Sequence, residues 1–122
     1  MEILFIDDNT DILEIFGEIL EGSGHKVETA SDGMSALKLY RELKPDLIIS
    51  DIIIPGINGI DLIKKIRLTD NKTPIIVMSG YEDELAWAKR VGASEVFLKP
   101  PNIKKLLETI DEIEKDLRQQ AA

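Results

Sequence analysis

A chain of 122 residues, 43% of them hydrophobic, suits one domain with a single core, burying roughly two-thirds of its unfolded surface without staples. It contains no cysteine, which excludes disulfides, thiolate nucleophiles and cysteine-ligated metals and is compatible with a reducing cytosol. The formal charge of −8 argues against autonomous nucleic-acid binding, which needs a basic face, and favours cationic partners, metal ions included. No apolar run approaches the ~20 residues of a membrane span. Glu2 leads directly into an apolar strand, so neither membrane insertion nor a signal peptide is expected.

Ile3–Ile6 is a short apolar run and predicts a strand. Asn9 or Thr10 is placed to cap a helix whose apolar positions are Ile12, Leu13, Ile15, Phe16, Ile19 and Leu20, a helical spacing stopped by Gly22 and Gly24. Lys26–Ala30 interleaves polar residues and predicts an edge strand. Asp32-Gly33 reads as a turn before a helix through Ala36, Leu37 and Tyr40 that ends ahead of Pro45. Leu47–Ser50 is a buried strand, and the Ile52–Gly59 loop leads to a helix carrying Ile60, Leu62, Ile63 and Ile66. After the polar Thr69–Thr73 turn come a strand at Ile75–Met78, a helix over Glu82–Val91 ended by Gly92, and a strand at Glu95–Leu98. Ile103–Leu117 predicts the last helix, with Ile103, Leu106, Leu107, Ile110, Ile113 and Leu117 on one stripe, and Gln119–Ala122 reads as a frayed end. Alternating strands and helices predict a parallel sheet covered on both faces and, with right-handed crossovers, doubly wound.

Four of these strands end in chemistry. The first runs into Asp7-Asp8, the third into Asp51, the fourth into Ser79-Gly80 and the fifth into Lys99-Pro100. In open parallel sheets the C-terminal edge is where ligands bind. Three converging carboxylates repel one another and need a cation, and an all-oxygen set suits Mg²⁺. With the Lys99 ammonium on the other side, a phosphoryl dianion between metal and lysine is neutralised, and Ser79 can donate to one of its oxygens. A carboxylate can form an acyl phosphate, and Asp51 is the central candidate by chain position.

These motifs together resemble a response-regulator receiver domain of two-component signalling. They are Asp7-Asp8, Asp51 in Asp51-Ile-Ile-Ile-Pro55-Gly56-Ile-Asn-Gly59, Ser79-Gly80, Gly92-Ala93 and Lys99-Pro100. The resemblance spans essentially the whole chain. It implies a flavodoxin-like five-stranded parallel sheet of order 2-1-3-4-5 with five helices, as one receiver domain over residues 1–122 with no effector domain expected. It implies that Asp51 accepts phosphoryl from a phosphohistidine on a histidine kinase or phosphotransfer protein, or from a small phosphodonor. Mg²⁺ would be held by Asp8 directly, by Asp7 mainly through water, and by Asp51 and the backbone carbonyl of Ile53. Lys99 would pair with the phosphoryl group, through a cis Lys99–Pro100 peptide, and Ser79 would move toward a phosphoryl oxygen on activation. Such a domain is a signalling switch that catalyses its own aspartyl phosphorylation and dephosphorylation rather than an enzyme with a separate substrate. The expectation is a cytoplasmic protein, a monomer or phosphorylation-dependent dimer, that binds an output partner through Glu82–Val91, strand five and Ile103–Leu117.

Two positions depart from the family pattern. Val96 stands three residues before Lys99, where the family often has Tyr or Phe, and Pro101 stands where it often has an aromatic. Phe97 cannot substitute, because adjacent strand residues face opposite sides. The switch is therefore expected in the Gly80–Glu84 segment and the helix after it, with Trp87 as reporter.

Plainer readings exist for each residue. Asp7 and Asp8 can serve a helix dipole, Asp51 can cap or end a loop, and Lys99 can be a solvated charge. His25, between a helix end and an edge strand, reads as a surface residue; Trp87 suits either core packing or a docking surface. A haloacid-dehalogenase-like phosphatase also combines Asp, Mg²⁺, Ser/Thr and Lys, but needs an acid two residues after its nucleophile, where this chain has Ile53. A degenerate receiver used only for binding would lack an acidic or lysine position, and a flavodoxin would carry a Ser/Thr/Gly-rich loop after strand one; neither sign is present.

Overall fold

A computed structural model describes residues 1–121. Five strands, β1 (Glu2–Ile6), β2 (Lys26–Ala30), β3 (Leu47–Asp51), β4 (Ile75–Ser79) and β5 (Glu95–Leu98), alternate with five helices. These are α1 (Thr10–Gly22), α2 (Gly33–Leu43), α3 (Gly59–Arg67), α4 (Glu82–Val91) and α5 (Ile103–Ala121). The strands form one parallel sheet of order β2-β1-β3-β4-β5, the predicted doubly wound flavodoxin-like arrangement. The two apolar faces of the sheet hold separate cores. Leu4, Ile6, Ile48, Ile75 and Val77 pack under α2, α3 and α4, while Ile3, Phe5, Leu47, Ile49, Ile76 and Met78 pack under α1 and α5. Strands buried on both faces explain the unbroken apolar runs. Polar β2 lies at an edge, as its interleaving predicted.

Helix ends follow local chemistry. The Asn9 side chain accepts from the backbone N–H groups of Asp11 and Ile12, settling the cap of α1 on Asn9. Asp32 caps α2 rather than merely turning the chain, and Lys44 ends that helix in the left-handed region just before Pro45.

Three expectations are corrected. Ile15, one of the apolar positions of α1, is 57% exposed rather than buried, while the helix itself ends at Gly22 with Ser23 as its cap, as the glycines predicted. The last helix continues past Leu117 to Ala121, because Arg118, Gln119, Gln120 and Ala121 include no breaker and favour helix; Ala122 lies outside the described residues. His25 is not a surface residue but 7% exposed, its Nδ1 lying 3.1 Å from the Met1 ammonium with Glu114 alongside. Burial, then the neighbouring ammonium, holds its pKa below the usual histidine value despite opposing pulls from Glu114 and Asp111.

The segment between Asp51 and α3 is held by two close backbone approaches. A Cβ on Gly33 would sit 1.9 Å from the Ile57 carbonyl oxygen, and the Gly33 N–H donates to Pro55 O at 2.9 Å. A Cβ on Gly59 would sit 2.6 Å from the Asp51 carbonyl oxygen. Gly33→Ala is therefore expected to displace the loop and destabilise the protein by about 1–3 kcal/mol in urea melts. Gly17→Ala, where nothing lies within 4 Å of the new methyl, should instead gain about 0.5–1 kcal/mol of helix stability. Equal effects of the two substitutions would contradict this account.

Candidate functional site

Strand register alone gathers the candidate residues. Ile6 pairs with Ser50, so Asp7 and Asp51 emerge side by side; Asp51 pairs with Met78, next to Ser79; and Ser79 pairs with Leu98, next to Lys99. The Lys99 N–H also donates to Ser79 O at 2.8 Å, fastening the fourth and fifth strand ends together.

Lys99 is the hub of the site. Its Nζ donates to Asp7 Oδ2 and Asp51 Oδ2, each at 2.7 Å. Burial works against the ammonium, but the hydrogen bonds and charges of Asp51 and Asp7 outweigh it, so the Lys99 pKa stands above its ordinary value. The lysine is therefore charged at neutral pH. The Lys99–Pro100 peptide is cis, as the resemblance implied.

The three acids differ in what they have left to offer. Asp7 is 1% exposed, and both its oxygens are engaged, Oδ2 by Lys99 and Oδ1 by the Asn9 N–H at 3.0 Å. Asp51 gives Oδ2 to Lys99 and accepts the Ile53 N–H on Oδ1 at a looser 3.2 Å. Asp8 is exposed, and among the described residues its carboxylate accepts no hydrogen bond. One oxygen from each of Asp7, Asp8 and Asp51 lies within 4.8 Å of the others. Octahedral Mg²⁺ with ligands at about 2.1 Å places cis oxygens about 3 Å and trans oxygens about 4 Å apart. These hard oxygen donors fit such an ion after a small contraction, the Asp8 carboxylate being uncommitted and both Asp7 oxygens already engaged. The Ile53 N–H bond folds the chain back beside Asp51, while the Ile53 side chain is 55% exposed.

Ser79 is brought to the site but turned elsewhere. It is 1% exposed, and its hydroxyl donates to Glu84 Oε2 at 2.6 Å while its oxygen accepts the Tyr81 N–H at 3.1 Å. Glu84 was not singled out from the sequence. It is one of three acids in the first turn of α4, and nothing in the spacing distinguishes it from Glu82 or Asp83. Glu84 lines an open groove of about 490 Å³ with Ile52, Ile53, Ile54, Ile60, Lys64 and Trp87. Trp87 is 56% exposed, deciding between its two readings. Val96 packs with the core on the α2–α4 side and Phe97 with the core on the α1/α5 side, as strand alternation required.

The sequence matches the family model described as response regulator receiver domain over residues 3–111. The DNA-binding response regulator MtrA of Mycobacterium tuberculosis is 34% identical over 107 residues, covering 86% of this chain and 46% of that protein. Sporulation initiation phosphotransferase F of Bacillus subtilis is 30% identical over 111 residues, covering 89% of this chain and 90% of that protein. The solved structure of chemotaxis response regulator CheY4 of Vibrio cholerae superposes with a TM-score of 0.84 at 31% identity, covering 92% of this chain and 97% of that chain. The chain belongs to the response regulator receiver domain family, the phosphoacceptor signalling domain of two-component systems. It spans about half the length of the first curated relatives it matches. Among the described residues, no helix is long and apolar enough to cross a membrane.

Proposed function

We propose that residues 1–122 act as one Mg²⁺-dependent phosphoacceptor switch with Asp51 as the acceptor. The observation that carries this reading is Lys99 bridging Asp7 and Asp51 at 2.7 Å each, beside an Asp8 carboxylate left free. An Asp51 oxygen attacks phosphorus, an O–P bond forms, and the P–N bond of the donor phosphohistidine breaks with its electron pair left on nitrogen. Mg²⁺ held by Asp7, Asp8, Asp51 and the Ile53 carbonyl would neutralise phosphoryl charge. Lys99 takes a second phosphoryl oxygen, exchanging carboxylate for phosphate without leaving its place. Ser79 supplies the hydroxyl donor for a third. The same site returns the phosphoryl group to water, so the domain catalyses its own phosphorylation and dephosphorylation.

The donor is a histidine kinase or phosphotransfer protein in the cytoplasm. The output is a changed affinity of the α4, β5 and α5 face for a protein partner, in a monomer or phosphorylation-dependent dimer. Val96 cannot act as a switch aromatic, so the change centres on the β4–α4 segment, next to Trp87.

The test is incubation with phosphoramidate, read by intact mass and peptide mapping. One phosphoryl group should appear on Asp51, only with Mg²⁺, and EDTA should prevent it. Beryllofluoride with Mg²⁺ should change Trp87 fluorescence more than Mg²⁺ alone. Labelling insensitive to EDTA, or placed on another residue, would overturn the proposal.

A further inference from the structure

The Ser79 hydroxyl has one proton, and it is already committed. It is donated to Glu84 Oε2 at 2.6 Å, within the short range of a charge-assisted O–H···O⁻ bond. The Ser79 oxygen in turn accepts the Tyr81 N–H. Tyr81 is the N-cap of α4, and its own side chain caps nothing. Glu84 therefore stands at the third helical position, where a glutamate ordinarily reaches back to the N-cap N–H in a capping box. Here Ser79 is inserted between the two partners and relays the cap. The helix dipole accounts for acids at Glu82, Asp83 and Glu84 in general, but not for this bond.

We infer that Glu84 is a positioning residue that latches the Ser79 hydroxyl away from the phosphoryl position, so that activation must break the Glu84–Ser79 bond at the start of α4. The inference rests on the switch reading above. A hydroxyl donating to Glu84 cannot donate to a phosphoryl oxygen, so the strength of the latch is subtracted from the affinity of the activated state. Breaking it withdraws Ser79 from the cap and frees the first turn of α4. Glu84 and Trp87 are three residues apart, neighbours on the helix surface, and both line the groove beside Ile53. Release of the latch thus reaches the groove wall directly, without any aromatic on β5.

The experiment is a double-mutant cycle read by beryllofluoride affinity at saturating Mg²⁺, followed through Trp87 fluorescence. Glu84→Ala should tighten beryllofluoride binding about tenfold, which corresponds to about 1.4 kcal/mol. Glu84→Gln, which keeps an acceptor but not its charge, should fall between Ala and wild type. In a Ser79→Ala background the Glu84→Ala effect should vanish, because a latch acts only through the hydroxyl. An effect that persists without Ser79 reports helix stability or general charge and overturns the inference, as does unchanged or weakened affinity in Glu84→Ala alone. The ligand-free protein supplies a separate readout. Glu84→Ala should shift the Tyr81 amide resonance, and should not do so when Ser79 is already Ala. If wild-type protein binds no beryllofluoride, the switch reading fails, and the amide measurement still decides whether the Ser79–Glu84 relay exists.

Discussion

Lys99→Ala is expected to lower folding stability and to tie it more strongly to Mg²⁺ than in the wild type. The ammonium separates two carboxylates whose side chains are 1% and 13% exposed. Removing one partner of a buried pair costs about 3–5 kcal/mol, because the charge left behind is uncompensated. Here two carboxylates face each other with Asp8 beside them, while the open side of the site admits water, so a loss of about 3 kcal/mol is expected without divalent ions. Mg²⁺ at a hundredfold excess over its dissociation constant should restore about 2.7 kcal/mol. Phosphoryl uptake from phosphoramidate should still fall by a factor on the order of 10²–10³ at saturating Mg²⁺, since the ion does not supply the second positive contact. Urea unfolding with and without Mg²⁺ checks the first part, and labelling rates check the second. A variant equally stable in both conditions and labelled at the wild-type rate would remove Lys99 from the proposed site.

Asp51→Asn should abolish labelling without loss of the fold. Asn has the same shape but no carboxylate oxygen with which to form an acyl phosphate. Lys99 keeps its bond to Asp7 at 2.7 Å. The pocket holds three carboxylates against one ammonium, and the substitution removes one of the repelling charges. Stability without Mg²⁺ should therefore equal or exceed that of the wild type, while Mg²⁺ affinity falls with the lost ligand charge. Intact mass after phosphoramidate treatment and urea melts on the same preparation separate lost chemistry from lost structure. Residual stoichiometric label would mean that another side chain is the acceptor.

The fold was legible because its signals are local. Apolar runs such as Leu47–Ile49 and Ile75–Met78 can be buried only between two helical layers, and their polar ends mark one edge. The candidate residues stood out for the same reason, since each directly follows such a run. Features set by distant partners were not. His25 has Gly24 and Lys26 as neighbours and looks exposed, yet it is buried against Met1 and Glu114, far away in sequence. Gly33 reads as half of a turn, and its need to lack a Cβ comes from Ile57, 24 positions later. Glu84 is one acid among three until Ser79 is placed beside it.

The two ends of α4 are hydrogen-bonded very differently, which would let the helix act as a lever once the Ser79–Glu84 bond opens. At its far end the Ala93 N–H donates to Ala88 O at 2.9 Å, Lys89 Nζ donates to Ser94 O at 2.7 Å, and Arg67 Nε and Nη2 both donate to Gly92 O, at 3.1 and 3.0 Å. At its near end the side-chain fastening is the Ser79–Glu84 pair. With that pair released, a rod held this way would pivot about its fixed end. Ten helical residues span about 15 Å, so a 1 Å displacement of the first turn is a rotation of about 4°. Travel then shrinks steadily along the rod, to somewhat under half at Trp87 and to almost nothing at Val91. A partner seated over the first two turns would feel most of the stroke; one seated over Arg90 would feel little of it.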